Sequence, residues 1–438
     1  MPVVQASRKR LRADVGAQAQ TSTPTLALVS LGCAKNMVDL QVRAGRMLKE
    51  GGYRLSPDPD RADVVVVNTC AFIASACEEA EAEIARALLI KKNGGYSRVV
   101  VAGCYPQRYP EARAKFPGVD SWEGVPDSWE AQPVPGLRLT GKAFAYLKIA
   151  EGCAHRCAYC AIPAIRGGYR SRPSGDILAE AKALLASGCR ELNIVAQDPM
   201  LYGVETRGGE PPLTDLLKKL DALKGDFWIR VLYSYPNEIG DEFLDWMSKS
   251  RHAARYIDVP LQHTVPEVLR RMNRGAAVEA SLSAAERLRA AVPGVTLRTT
   301  IMTGFPGETP KRFQTMLGDL ERMRFDHLGA FAFSPEKGTA AAAMAGRPSR
   351  QTAQEREKAV MDLAKRIWRE KAADMIGGRF RALVVAPGVA RLESQAPDVD
   401  GVVFLEGPRA ASATPGDFID VRLAKTRGFD FTGEPACG

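Results

Sequence analysis

Glu151-Gly-Cys-Ala-His-Arg-Cys-Ala-Tyr-Cys-Ala-Ile-Pro163 is the stretch on which the reading of this chain turns. It spaces Cys153, Cys157 and Cys160 as C-x3-C-x2-C, with Tyr159 just before the last. Three thiolates so close in sequence can wrap one face of a cubane iron–sulfur cluster and leave the fourth iron without a protein ligand. A zinc site is usually closed by four N or S ligands, and no C-x2-C partner follows downstream. His155 could act as a fourth ligand, but its place between the cysteines suggests solvent instead. An iron with an open position is where a small molecule can bind and be reduced.

Outward from this loop, apolar runs alternate with helical patterns. Strands are expected at 143–149, 191–196, 227–232, 256–260, 296–302 and 327–333, and helices at 177–186, 213–223, 238–248, 278–291 and 310–323. Six such units predict a partial (β/α)6 barrel, with chemistry at the carboxyl ends of its strands by analogy with complete barrels. The cysteine loop follows the first strand and obeys that rule. Thr303-Gly-Phe-Pro-Gly-Glu308 places Gly304 and Gly307 where a backbone could approach a ligand closely. Gln197 and Asp198 end the second strand with polar groups suited to an amino group or a ribose. Both features also fit ordinary turn chemistry. Arg166-Gly-Gly-Tyr-Arg-Ser-Arg172 is a basic loop that could grip a carboxylate or phosphate, or be solvated.

Upstream, Thr25-Leu-Ala-Leu-Val-Ser-Leu-Gly-Cys33, Arg61-Ala-Asp-Val-Val-Val-Val-Asn-Thr-Cys70 and Arg98-Val-Val-Val-Ala-Gly-Cys104 repeat one pattern. Near-continuous apolar runs mark parallel strands buried on both faces, and helical patterns follow at 36–49, 74–92 and after Pro110. This predicts a doubly wound βαβ domain, whose ligands sit beyond the carboxyl ends of its strands. Cys33, Cys70 and Cys104 stand there, a second set of three thiols. Cys77, Cys189 and Cys437 have no partner at ligand spacing and read as structural or incidental.

Residues 1–24 are polar and aperiodic and read as a disordered tail. The remaining boundaries fall at 25–137 for the N-terminal domain, 138–371 for the core and 372–438 for a C-terminal unit, with a linker near 126–135. A long helix over 350–375 leads into short β runs at 381–385, 401–405 and 418–423 with Gly/Pro turns, which predict a small β-barrel.

The 438 residues carry a net charge of +9. No apolar run reaches the ~18 residues of a membrane span, and the Arg-bearing start lacks the apolar region of a signal peptide. Nine cysteines do not form an evident disulfide framework, so metal or redox chemistry in a reducing cytoplasm is expected. The basic excess lies in 138–371, with thirty-six bases and twenty-seven acids, whereas 372–438 holds seven and nine. An acidic barrel would repel a phosphate backbone, so a basic protein partner is expected over transfer RNA.

The cysteine loop resembles the signature of the radical S-adenosylmethionine (SAM) enzymes. With the N-terminal triplet and the small barrel, the chain from 25 to about 434 resembles the radical SAM methylthiotransferases, which end in a TRAM barrel. Within them it is most similar to the branch acting on ribosomal protein S-twelve. The motifs carrying this are Ser30-Leu-Gly-Cys-Ala-Lys-Asn36, Asn68-Thr-Cys-Ala-Phe-Ile73, Asp258-Val-Pro-Leu-Gln-His263, Arg271-Met-Asn-Arg274 and Phe333-Ser-Pro-Glu-Lys-Gly-Thr339. Asp400-Gly401 and Pro415-Gly-Asp-Phe418 extend it into the barrel. The loop 197–203 departs from the pattern, lacking an acidic residue straight after Tyr202-Gly203.

The resemblance implies two 4Fe–4S clusters, one on Cys153, Cys157 and Cys160 that cleaves SAM and one on Cys33, Cys70 and Cys104 that handles sulfur. It implies transfer of a methylthio group to the β-carbon of an aspartate, and beside the first cluster Tyr159, Gln197, Gly304 and Gly307 are the candidate SAM contacts read from the residues above. It further implies a cytoplasmic monomer, without membrane attachment, served by a low-potential donor of flavodoxin or ferredoxin type. The partner would be free S-twelve or the small ribosomal subunit. The alternative substrate is an adenosine of transfer RNA; an iron–sulfur protein that only binds RNA or carries electrons is a further one.

Overall fold

The computed structural model describes residues 9–10, 23–126, 137–206, 212–275 and 278–436. The linker expected near 126–135 falls almost wholly outside the described residues, as do Cys437 and most of the 1–24 tail. Within that tail Lys9–Arg10 pairs antiparallel with Ser30 and Val29, so these two residues are strand and not coil. They occupy part of an otherwise open sheet edge.

The N-terminal domain is a parallel sheet in the spatial order Arg54–Leu55, Thr25–Ser30, Ala62–Thr69, Tyr96–Gly103, Ser121–Glu123. Counted along the chain this order is 2-1-3-4-5, which reverses direction between Thr25–Ser30 and Ala62–Thr69. That switch opens a crevice at the carboxyl ends of the two strands. Val64, Val65, Val66 and Val67 are all buried, as a sheet covered on both faces requires. Helices Ala34–Glu50 and Ala74–Lys92 cover the faces.

The core has six parallel strands in two sheets of three. Phe144–Lys148, Glu191–Val195 and Trp228–Val231 form one; Tyr256–Asp258, Thr296–Thr303 and His327–Ala332 form the other. A bridge between Ile229 and Ala253 joins them. Helices Ser174–Ala186, Leu213–Asp221, Asp241–Lys249, Val278–Ala291 and Pro310–Met323 lie between the strands in sequence. The alternation expected from the apolar runs is present to within a few residues.

The concave face of this partial barrel is filled by its neighbours. Met37, Val38, Leu40 and Ala44 of helix Ala34–Glu50 share one apolar cluster with Phe144, Tyr146, Val195, Trp228 and Tyr256, and with Leu383 and Ala396 from the C-terminal unit. Burying such side chains contributes about 1.5–3 kcal/mol each, so the three domains share a core.

Helix Arg350–Met375 leads into a closed five-stranded barrel: Arg379–Ala386, Val389–Leu392, Val403–Leu405, Phe418–Arg427 and Asp430–Pro435. Its segment 391–400 enters the core barrel at the strands' amino ends. Arg391 pairs with Glu191, Asp400 with Arg298 at 2.6 Å, and Tyr146 donates to Asp398 at 2.8 Å. Of the barrel unit's nine acids, Glu393, Asp398 and Asp400 are thus engaged with the core, as are Arg381 and Arg391 of its seven bases. Six acids and five bases remain, so the unit's charge does not discriminate between a basic protein and RNA. Among the described residues no helix is long and apolar enough to cross a membrane.

Candidate active site

The cysteine loop hangs from the carboxyl end of the first core strand and is held at several points. The Cys160 N–H donates to Cys157 O at 3.0 Å, and Ala158 N–H to Met272 O at 2.9 Å. Asn273, left-handed at φ 56°, donates its amide to Arg156 O at 2.7 Å. Arg274 is buried, aims one guanidinium nitrogen at Cys157 Sγ at 3.8 Å and donates to Pro260 O at 2.9 Å. The motif Arg271-Met-Asn-Arg274 is therefore a clamp on this loop. Burial pushes the Cys153 thiol up to about 11 and Cys160 to about 12, the neighbouring thiols adding to both shifts.

The second thiol set assembles from three strand ends. Cys33 and Cys70 flank the switch crevice, and Cys104 follows the next strand. Gly32 lets the first two loops pack directly, because a Cβ at 32 would lie 2.7 Å from Cys70 Cβ. Burial raises the Cys70 thiol, and Cys104 and Cys33 raise it further, so the three lie within electrostatic reach. Arg166 places one nitrogen 3.3 Å from Cys104 Sγ.

Of the two readings of its basic loop, Arg166 takes the carboxylate-gripping one. It is buried, and it bonds both Glu151 oxygens at 2.9 Å and Asp39 at 3.0 Å. Lys148 completes the group against Asp39 and Glu151. Burial would lift the Glu151 carboxyl, but Lys148 and Arg166 hold it down at about 2. His155, expected in solvent, meets Asp198 at 2.7 Å and stacks on Tyr235 at 3.9 Å. The sequence reading missed Asp39, Lys148 and Lys35; Asp39 meets Lys148 and Arg166, 109 and 127 residues away, and Lys35 meets Tyr233 of the core. Lys35 already stands inside the quoted motif Ser30–Asn36, where a lysine in an apolar strand-to-helix turn was the available signal.

The two thiol sets bracket one short segment. Lys35, two residues after Cys33, lies 3.6 Å above the Tyr233 ring, while Arg274, facing Cys157, lies 4.1 Å from the Tyr235 ring. Two residues span at most ~7 Å, so both sets face the loop after strand Trp228–Val231.

The expected SAM contacts fare unequally. Gln197 donates to Glu151 at 3.1 Å, and its Oε1 is buried with no partner. Tyr159 packs edge-on against Phe305 at 6.4 Å. The glycines have internal duties: a Cβ at 304 would lie 2.3 Å from Ala353 Cβ, and one at 307 would lie 2.8 Å from Arg271. The Gly304 N–H donates to Glu308, which also meets Arg356 and His263. The close approach shown is to Ala353 and Arg271. In the loop 197–203 the acid arrives one residue late, as Glu205, and accepts from the Ser171 N–H.

Other motif residues stitch the domains together. Glu336 accepts from the Ala74 N–H at 2.8 Å and from Arg108 at 3.0 Å, tying the core to the N-terminal domain. Cys189 is buried beside Glu191 O, a packing role. Among the described residues no three His, Cys, Asp or Glu side chains converge tightly enough for one metal ion. A four-iron cube is larger than an ion, and its donor chemistry fits both sets: three thiols, few competing oxygen donors and a buried arginine at one sulfur.

Residues 147–320 match the Radical SAM superfamily, residues 25–124 the Uncharacterized protein family UPF0004, and residues 376–435 the TRAM domain. The chain is 40% identical to the ribosomal protein uS12 methylthiotransferase RimO of Pelotomaculum thermopropionicum, covering 93% of this chain and 98% of that one. The Moorella thermoacetica RimO is 39% identical over 93% and 99%. The chain belongs to the RimO family of methylthiotransferases. RimO membership accounts for all three domains in their order. A fold likeness extends to the radical SAM methyltransferase TsrM of Kitasatospora setae, with TM-score 0.52 at 16% identity, covering 90% of this chain and 82% of that one.

Proposed function

We propose that this enzyme places a methylthio group on the β-carbon of an aspartate of ribosomal protein uS12, using two 4Fe–4S clusters and SAM. Cys153, Cys157 and Cys160 would hold the SAM-binding cluster; Cys33, Cys70 and Cys104 would hold the second. The observation carrying this is that two separate thiol sets bracket one loop, each with a buried arginine at a sulfur. When bound, these groups supply one-electron cleavage of SAM and the sulfur for transfer, chemistry that an unactivated C–H bond demands and side chains cannot provide.

The chain's own residues position and balance charge. Arg166 and Arg274 offset the negative charge of two thiolate sets in a low-dielectric seam. Gln197, with its unpartnered buried oxygen, and Tyr159, which lies in the loop between Cys157 and Cys160, are the polar and aromatic contacts offered to SAM. Lys148 and Glu151 fix the strand from which that loop departs. A flavodoxin- or ferredoxin-type donor would supply electrons to a cytoplasmic monomer.

The test gives reduced, reconstituted enzyme SAM and sulfide, then offers uS12 and bulk transfer RNA separately. Mass spectrometry should find the methylthio increment on an aspartate peptide. Finding it on an adenosine, with uS12 untouched, would reverse the substrate assignment.

A further inference from the structure

The seam between the thiol sets carries one cation more than its carboxylates match. Lys148 and Arg166 are answered by Asp39 and Glu151. Lys35 is not. It is 8% exposed, it sits in the first turn of helix Ala34–Glu50, and it lies 3.6 Å above the Tyr233 ring with the Cys33 thiol facing it. The Cys33 thiol faces it first, then Glu151 and Asp258, and both of these carboxylates are engaged elsewhere. Glu151 binds Lys148 and Arg166, and Asp258 accepts the Tyr233 N–H at 3.2 Å and lies 3.8 Å from Arg298. A buried cation that no carboxylate pairs is costly.

The surroundings are built around that side chain. Tyr233 is left-handed at φ 72°, a conformation that an aromatic residue keeps only when its neighbours impose it. Beside it the buried Ser234 Oγ has no hydrogen-bond partner. The end of a long helix adds a positive field at the same place. A buried ammonium that no carboxylate answers, at a helix N-terminus beside the thiol set, can receive a small anion.

We propose that Lys35 receives the side-chain carboxylate of the acceptor aspartate and so selects it. This rests on the uS12 reading above. The carboxyl carbon is one bond from the β-carbon that takes sulfur. Lys35 is two residues from Cys33, so a carboxylate on its ammonium brings the β-carbon to the sulfur-handling thiol set. An asparagine at the acceptor position would leave the ammonium unpaired, and it is rejected on that account. Lys35 is a specificity-determining residue that acts on the substrate and not on SAM.

The experiment measures equilibrium binding of a peptide carrying the uS12 acceptor loop, with Asp or Asn at the acceptor position, to the reconstituted full chain with SAM and without reductant. The wild-type chain should prefer the Asp peptide about tenfold. Lys35→Met should bring the two affinities to within about twofold by weakening only the Asp peptide, and Lys35→Arg should keep part of the preference. Iron content of each variant reports whether the thiol sets are intact. A preference that survives in Lys35→Met overturns the proposal, as does a wild-type chain that binds both peptides alike. Loss of iron with equal weakening of both peptides also overturns it, making Lys35 a counter-ion to the thiols. If the wild-type chain binds neither peptide and modifies transfer RNA, the substrate reading itself fails, a result visible without any variant.

Discussion

The two thiol sets reach the same seam by opposite routes. Cys153, Cys157 and Cys160 come from one eight-residue loop, so local geometry alone brings them together. Cys33, Cys70 and Cys104 come from three strand ends and meet only because the sheet reverses at Thr25–Ser30 and Ala62–Thr69. The first set is written in spacing, the second in topology. Each is then finished by an arginine from elsewhere in the chain, Arg274 for the loop and Arg166 for the sheet. What differs is dependence: the sheet set needs the fold, and Arg166 ties it to the core.

The largest expected effect sets the two apart chemically. Replacing Cys157 by Ala should lower iron from about eight to about four atoms per chain and abolish 5′-deoxyadenosine formation. Iron analysis and a SAM-cleavage assay check this, and residual cleavage at wild-type rate would place the SAM site elsewhere.

Next is Arg166→Met, which leaves Asp39 and Glu151 short of a buried partner. A loss of about 3–5 kcal/mol is expected, read from denaturant unfolding. Arg166→Lys should recover little, because one ammonium cannot reach Glu151, Asp39 and Cys104 together. A neutral outcome for Arg166→Met would mean that the sheet set does not need the seam.

Acid should loosen the C-terminal barrel before either thiol set. Burial would raise the Glu191 carboxyl, but Arg391 and Arg230 hold it below its ordinary 4.5. A depressed native value makes the unfolded chain bind more protons, so this stabilisation is complete above 4.5 and is lost as pH falls toward the native value. Asp400, held down by His327 and Arg298 against its burial, acts in the same direction. Unfolding measured against pH should show a steep acid limb that Glu191→Gln flattens, at a cost of about 3 kcal/mol near neutrality.

The smallest effect separates packing from ligand contact. Gly304→Ala would press a methyl on Ala353 at a left-handed residue of φ 75°, and should cost about 1–3 kcal/mol of stability. SAM affinity should change little in the chain that remains folded. Lost SAM binding at unchanged stability would return Gly304 to the ligand.

Strand and helix alternation was legible because both sheets are fully buried and their strands read as continuous apolar runs. The closed barrel was only half legible. Strand Val389–Leu392 has four residues, and Asp430–Pro435 contains Gly433 and ends in proline, so neither shows a period. That Arg166 grips a carboxylate was one of two readings its basic loop left open, but which carboxylates was not legible, since Asp39 lies 127 residues away. The glycines of 303–308 signalled a close approach, but no local pattern says what approaches. The barrel's acidic balance is partly spent inside the molecule, since Glu393, Asp398, Asp400, Arg381 and Arg391 engage the core.

The division of labour between the sets is tested most directly by one variant, Cys104→Ala, given SAM, reductant, sulfide and uS12. The quantity to measure is methylthiolated uS12 relative to 5′-deoxyadenosine in the same reaction. The ratio should fall to zero while 5′-deoxyadenosine continues to form. Methylthiolated uS12 at the wild-type ratio would contradict the assignment of sulfur handling to Cys33, Cys70 and Cys104.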